Sequence, residues 1–118
     1  MCLYTTQRRA KIAKEDIHCY KVMRVVNTHI RSVYQNHRYY INKLETIDEF
    51  GIEKYLDHIS INEGLHAFTN YFKAYGTALF NAGIIYKCII PKGSKYYLGD
   101  DVIVSNQMMI NGRYKEKK

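Results

Sequence analysis

Apolar residues in this chain fall in short runs, and most of those runs have the composition of strands. Ile17–Val26 is rich in β-branched and aromatic residues and bounded by charge, which predicts a strand. Asn27-Thr28 then predicts a turn, with His29–Tyr34 as the hairpin partner and Arg38-Tyr39-Tyr40-Ile41 as a third short strand. Residues 44–58 place Leu44, Ile47, Phe50 or Gly51, Tyr55 and Ile59 at roughly helical intervals, so a helix weakened by Gly51 is expected there. Gly64 punctuates the chain before Leu65-His66-Ala67-Phe68. A clearer helix follows, with Thr69 or Asn70 as N-cap and with Phe72, Tyr75, Leu79 and Phe80 sharing one face around Gly76. Gly83 is placed for the C′ stop.

Ile84–Ile90 is nearly continuously apolar, as in a strand buried on both faces. Pro91-Lys92-Gly93-Ser94 reads as a turn in which proline presets the first bend. Lys95–Leu98 and Val102–Val104 follow as short strands about Gly99-Asp100-Asp101, and Gln107–Ile110 extends the last. Asn111-Gly112 ends the pattern, leaving Arg113–Lys118 as a frayed basic tail. The expected architecture is one α+β domain over residues 1–118. A mostly antiparallel sheet of about five or six short strands packs against one or two helices.

Composition narrows the class. With 47% apolar and 25% charged residues among 118, the chain is globular rather than disordered. No apolar run approaches the roughly 18 residues of a membrane span. The basic start at residues 1–15, with Arg8, Arg9, Lys11 and Lys14, has no apolar segment after it, so no signal peptide and no membrane partner are expected. Cys2, Cys19 and Cys88 show neither CxxC nor Cys/His zinc spacing. Cys19 and Cys88 lie in apolar runs, where a thiol behaves as a small hydrophobe, and a reducing cytoplasm is the natural setting.

Charge is unevenly spread. The total of +7 combines a net of +7 over residues 1–43, −5 over 44–70 and +5 over 71–118. Such blocks bear on association more than on fold. Catalytic signatures are missing: the chain has no GxSxG, HExxH, P-loop or GxGxxG. His18, His29, His37, His58 and His66 have no carboxylate or thiol at triad-like spacing. Asp100-Asp101 suits a turn for backbone reasons, and no metal or cofactor is expected. His66, after Gly64 and before the helix, is either a hydrogen-bonded, half-buried imidazole or a functional group at a helix N-terminus.

The basic, tyrosine-rich first third carries the sharper expectation. Arg31, Tyr34, Arg38, Tyr39 and Tyr40 interleave cation and ring within ten residues. Single-stranded nucleic acids bind such surfaces, bases stacking on rings while cations neutralise phosphates. The alternative is ordinary packing of tyrosines beneath a solvated basic surface. The contact reading enlists Arg8, Arg9 and Lys11 as helpers, with RNA ahead of DNA or a ribonucleoprotein as partner and no enzymatic activity.

Two resemblances add context. Tyr20-Lys21-Val22, Gly64-Leu65-His66-Ala67-Phe68 and Lys87–Tyr97 occur in an order that resembles small uncharacterised proteins of bacteriophages and mobile elements, over roughly residues 17–110. That resemblance implies binding and inhibition of a host defence complex, CRISPR-type nucleases included. A fainter one is to ADP-ribosyltransferases. Arg24 or His18 would match the first strand's residue, Ala67-Phe68-Thr69 the central segment and Pro91–Ser94 the turn. It implies a nucleotide-binding cleft near His66 and Ser94, but Gln107 is all that Val102–Ile110 offers where that family carries its glutamate.

Overall fold

Strand formation extends well beyond the runs that signal it in the sequence. The computed structural model describes residues 3–33 and 37–115. Strands β1 (Leu3–Thr5) and β2 (Lys11–Ile12) lead into the long β3 (Ile17–Val26). Next come β4 (His29–Ser32), β5 (Arg38–Tyr39), β6 (Leu44–Thr46), β7 (Gly51–Lys54), β8 (Ile59–Glu63) and β9 (Leu65–Phe68). The helix α1 (Tyr71–Asn81) is followed by β10 (Ile84–Ile90), β11 (Lys95–Leu98), β12 (Val102–Ser105) and β13 (Gln107–Arg113). The expected α+β class is therefore corrected: the described residues form a mostly β fold of thirteen strands and a single 11-residue helix.

The second helix expected over 44–58 does not form, and the reason is long-range pairing. β6 is drawn to β13 and β7 to β8, both antiparallel. The apolar residues of 44–59 do not share a face: Leu44 and Tyr55 are exposed, Ile47 packs against the core cluster around Met23, and Phe50 and Ile59 join the separate cluster around Ile61. Gly51 lies so close to Glu63 that a Cβ would fall 2.7 Å from the Glu63 Cβ, at a register shift in the β7–β8 ladder. A helical spacing of apolar residues without a common partner surface loses to strand pairing.

Two sheets result. The small one runs β1-β8-β7, and the large one runs β2-β11-β12-β9-β3-β10-β13-β6, with β4 and β5 added beside β3. All ladders between named strands are antiparallel. The Asn27-Thr28 turn is a two-residue hairpin loop, with φ of 49° and 68°, so Val26 pairs with His29. Beyond β5 the chain crosses to the other side of the sheet. Ile41 bridges Ile110, the Asn42 N–H donates to the Ile110 carbonyl at 2.7 Å, and β6 continues along β13. The path β3-β4-β5, then residues 40–46, β13 and β10 back to β3 is a closed circuit. Its interior holds Cys19, Met23, Tyr39, Tyr86, Cys88, Met108 and Ile110.

Helix α1 lies on the outside of that circuit, over Val22, Phe68 and Ile85. Asn70, not Thr69, is the N-cap: its side chain accepts from the Phe72 N–H at 2.8 Å. The helix buries only Ala74 and Ala78, so small residues let its backbone approach the sheet closely. The large apolar residues expected on the packing side instead face outward: Phe72, Tyr75, Leu79 and Phe80 are all exposed. The C-terminal stop is also displaced by one residue. Ala82 takes the left-handed conformation, with φ 52° and ψ 41°, while Gly83 permits close passage over β3. A Cβ at Gly83 would sit 2.5 Å from Val22 Cγ1 and 3.2 Å from the Met23 carbonyl.

These two positions predict opposite responses. Ala82→Gly relieves a left-handed alanine and should raise stability by about 0.5–1 kcal/mol. Gly83→Ala should lower it by about 1–3 kcal/mol through steric conflict with β3. Urea unfolding midpoints measure both, and equal effects of the two substitutions would refute the assignment.

Candidate nucleic-acid interface

The strand register assembles a cationic row that is not contiguous in sequence. Arg24 pairs with Arg31 across β3 and β4, and Arg31 pairs with Arg38 across β4 and β5. Directly opposed residues project on the same face with Cβ atoms about 5 Å apart, and like charges so placed repel. Even residues of β3 project outward here, as Val22 does beneath α1, so the row stands on the outer surface beyond the helix C-terminus. Arg24 is exposed, while Arg31 and Arg38 are partly covered.

Tyr40 extends the row. The Arg38 guanidinium lies 4.5 Å from its ring centroid and the Lys43 ammonium 4.9 Å, so two cations gather on one half-exposed ring. Arg38 Nε is buried and has no hydrogen-bond partner among the described residues. Guanidinium planes and a tyrosine ring on an exposed strand face are the components that stack with bases and pair with phosphates.

The expected contact residues divide. Arg31, Arg38 and Tyr40 come together as described, joined by Arg24 and Lys43, which the sequence reading had not assigned to the contact. A two-residue turn at Asn27-Thr28 already sets Arg24 opposite Arg31, so that partner was legible from the hairpin arithmetic. Tyr39 is the residue lost from the surface: it points into the closed circuit, is buried, and carries His37 edge-on at 4.8 Å. Burial raises its hydroxyl pKa, with Glu45 adding to the effect. Tyr34 lies outside the described residues. Arg8 is engaged elsewhere, donating to the Tyr55 carbonyl at 3.1 Å and the Leu56 carbonyl at 2.6 Å. Lys11 is exposed on β2, which is four strand positions from β3 in the large sheet, and exposed Arg9 lies just before it. These helpers do not join the row.

The acidic segment is also set apart. Glu53 lies on β7 at the edge of the small sheet and Asp57 in the turn beyond, where it meets His58 at 2.7 Å. Glu45 returns toward the closed circuit, 3.5 Å from His37, and Glu63 lines the same groove as His37 and Tyr39.

The buried polar groups serve the interior. His66 Nδ1 lies 2.9 Å from the Gly64 carbonyl and Nε2 lies 3.3 Å from the Ile61 carbonyl. Burial lowers its pKa, and the neutral ring can donate to only one of the two. Ser94 is fully buried in the turn before β11, its Oγ unpartnered among the described residues. Val104 pairs with both His66 and Tyr97, so Ser94 lies three residues along and two strands across from His66, about 14 Å away by strand geometry. Lys21 is the deepest cation. It donates to the His66 carbonyl, its Nζ lies 5.2 Å from the Tyr39 ring centroid, and the opposed Cys19 and Cys88 are its neighbours. Desolvation lowers its pKa.

Among the described residues no cluster of His, Cys, Asp and Glu could hold a metal ion, and no helix is long and apolar enough to cross a membrane. Comparisons with protein-family models, with curated proteins and with solved structures find no match.

Lys21 gives the interior a pH signature. Its folded pKa lies below the free value of 10.5, so between the two the unfolded chain holds the extra proton. Stability should therefore rise with pH across that window, be fully present above 10.5, and fall as pH drops through the folded pKa. Lys21→Met should flatten this slope in urea unfolding series at matched pH values; an unchanged slope would remove Lys21 as its source.

Proposed function

We propose that this chain is a small non-enzymatic protein that binds single-stranded RNA, free or as the exposed RNA of a ribonucleoprotein. The observation that carries the reading is the Arg24–Arg31–Arg38 row with Tyr40 and Lys43 at its end. A polyanion laid along the row gains a phosphate contact at each guanidinium it crosses. The row runs across the strands at about 4.8 Å per step, so a polyanion laid across them meets one guanidinium per strand. Tyr40 supplies a ring against which one base can stack, and Arg38, already held against that ring, loses little freedom on binding.

The setting of this reading is a reducing cytoplasm, where Cys19 and Cys88 persist as buried thiols. Inhibition of a host nuclease complex, as the resemblance to phage proteins implies, would follow from capture of RNA that such a complex exposes. No particular observation favours the nucleotide-cleft alternative, since the register separates its two anchoring residues.

Charge reversal at Arg31 and Arg38 together should weaken binding of a short single-stranded RNA by more than about tenfold at low salt. The slope of log K against log salt should fall by about 0.7 for each phosphate contact removed. Arg9→Glu, away from the row, should have a much smaller effect. Fluorescence anisotropy across a salt series decides the matter, and an unchanged affinity in the double variant would refute the site.

A further inference from the structure

We infer that the outer face of α1 is a self-complementary interface through which two copies of this chain associate. The helix turns its small face, Ala74 and Ala78, to the sheet and its large face to solvent. Phe72, Tyr75, Leu79 and Phe80 are 78%, 45%, 68% and 91% exposed. At 100° per residue, Gly76 falls opposite the Ala74–Ala78 face and so lies at the centre of this patch. A Cβ on Gly76 would meet nothing within 4 Å, so packing within one copy places no demand for glycine there. Glycine in an exposed helix interior costs about 1 kcal/mol relative to alanine. A helix that must approach a second helix closely gives that glycine a purpose.

The observations favour a second copy as the occupant. Lys73 is the only charged side chain on the helix, so the face offers a polyanion almost nothing. With Lys73 on the helix and Arg113 in the adjoining groove as its charges, the face meets its own copy with little like-charge repulsion, in a chain whose total is +7. Beside the patch lies a groove of about 480 Å³ lined by Tyr71, Tyr75, Leu79, Ile84, Arg113 and Tyr114. The protruding phenyl rings and an aromatic recess thus belong to one continuous surface, which is what a two-fold interface requires: each copy supplies both knob and hole. Taking about 200 Å² per large side chain, the four exposed residues offer about 550 Å² per copy. A symmetric pair would bury about 1,100 Å², above the roughly 1,000 Å² expected of a specific interface.

Sedimentation equilibrium tests this on nuclease-treated full-length protein, so that bound nucleic acid cannot bridge copies, over about 1–100 μM. The wild type should sediment at twice the 13.9 kDa chain mass. The double variant Leu79→Glu, Phe80→Glu should dissociate at least about tenfold more readily, with an unchanged far-UV spectrum. Gly76→Arg, whose Cβ would meet no atom of its own copy within 4 Å, should do the same and guards against misfolding of the first variant. A wild type that stays single throughout, whether or not it adheres to phospholipid vesicles, overturns the inference. So does a pair that survives both variants.

Discussion

The crossing of residues 40–46 from β5 to β13 decides which side of each strand is inside. Ile41 bridges Ile110, and the Asn42 N–H is bound to the Ile110 carbonyl. Because side chains alternate along a strand, closing the circuit fixes two opposite surfaces with a single choice. One parity of β3, β4 and β5 delivers Cys19, Lys21, Met23 and Tyr39 to the interior, and the other delivers Arg24, Arg31 and Arg38 to the outer face. A shift of one residue would bury three guanidinium groups and expose a methionine and a tyrosine. The cationic row is therefore specified by the same hydrophobic term that builds the core.

Lys21 is the exception inside that core. Complete desolvation disfavours its ammonium, and the His66 carbonyl, the face of Tyr39 and the two thiols only partly offset the loss. An amine held there does tie β3 to β9, where the ladder supplies only the Tyr20–Phe68 pair. The Lys21 hydrogen bond to His66 acts as a side-chain rung at the point where β3 changes neighbours from β9 to β4. That position explains why a polar group is retained in an otherwise apolar interior.

Much of the strand pattern was legible in local composition. Ile17–Val26, Ile84–Ile90, the Asn27-Thr28 turn and the Asn70 cap all rest on short-range chemistry: β-branched runs, residues tolerant of positive φ, and a side-chain acceptor for free N–H groups. The fold class was misjudged because β1, β2, β6, β7 and β8 are only 2–5 residues long and are held by partners about 54–85 positions away or, for β7 and β8, by each other. No local periodicity encodes such pairings. The contact surface was half legible for the same reason. Arg31 and Arg38 stand near each other in sequence, whereas Tyr39 leaves the surface through alternation and Lys43 joins it through the crossing.

Helix α1 shows how a correct element can carry an inverted meaning. Its large apolar residues look like a packing face because in most surface helices the apolar stripe covers the core. Here the sheet beneath already presents bulky Val22, Phe68 and Ile85, so the contact requires the small Ala74 and Ala78. Two large surfaces facing each other would hold the helix too far from β3 and would break the passage of Gly83 over Val22. Once the alanines are committed inward, the helical repeat leaves Phe72, Leu79 and Phe80 no position but the outer side. Isolated exposed apolar residues need no explanation, but four on three successive turns form a patch of the size that marks association. The fold thus separates its two surfaces by chemistry, a charged row on the strands beyond the helix and an uncharged apolar face on the helix itself.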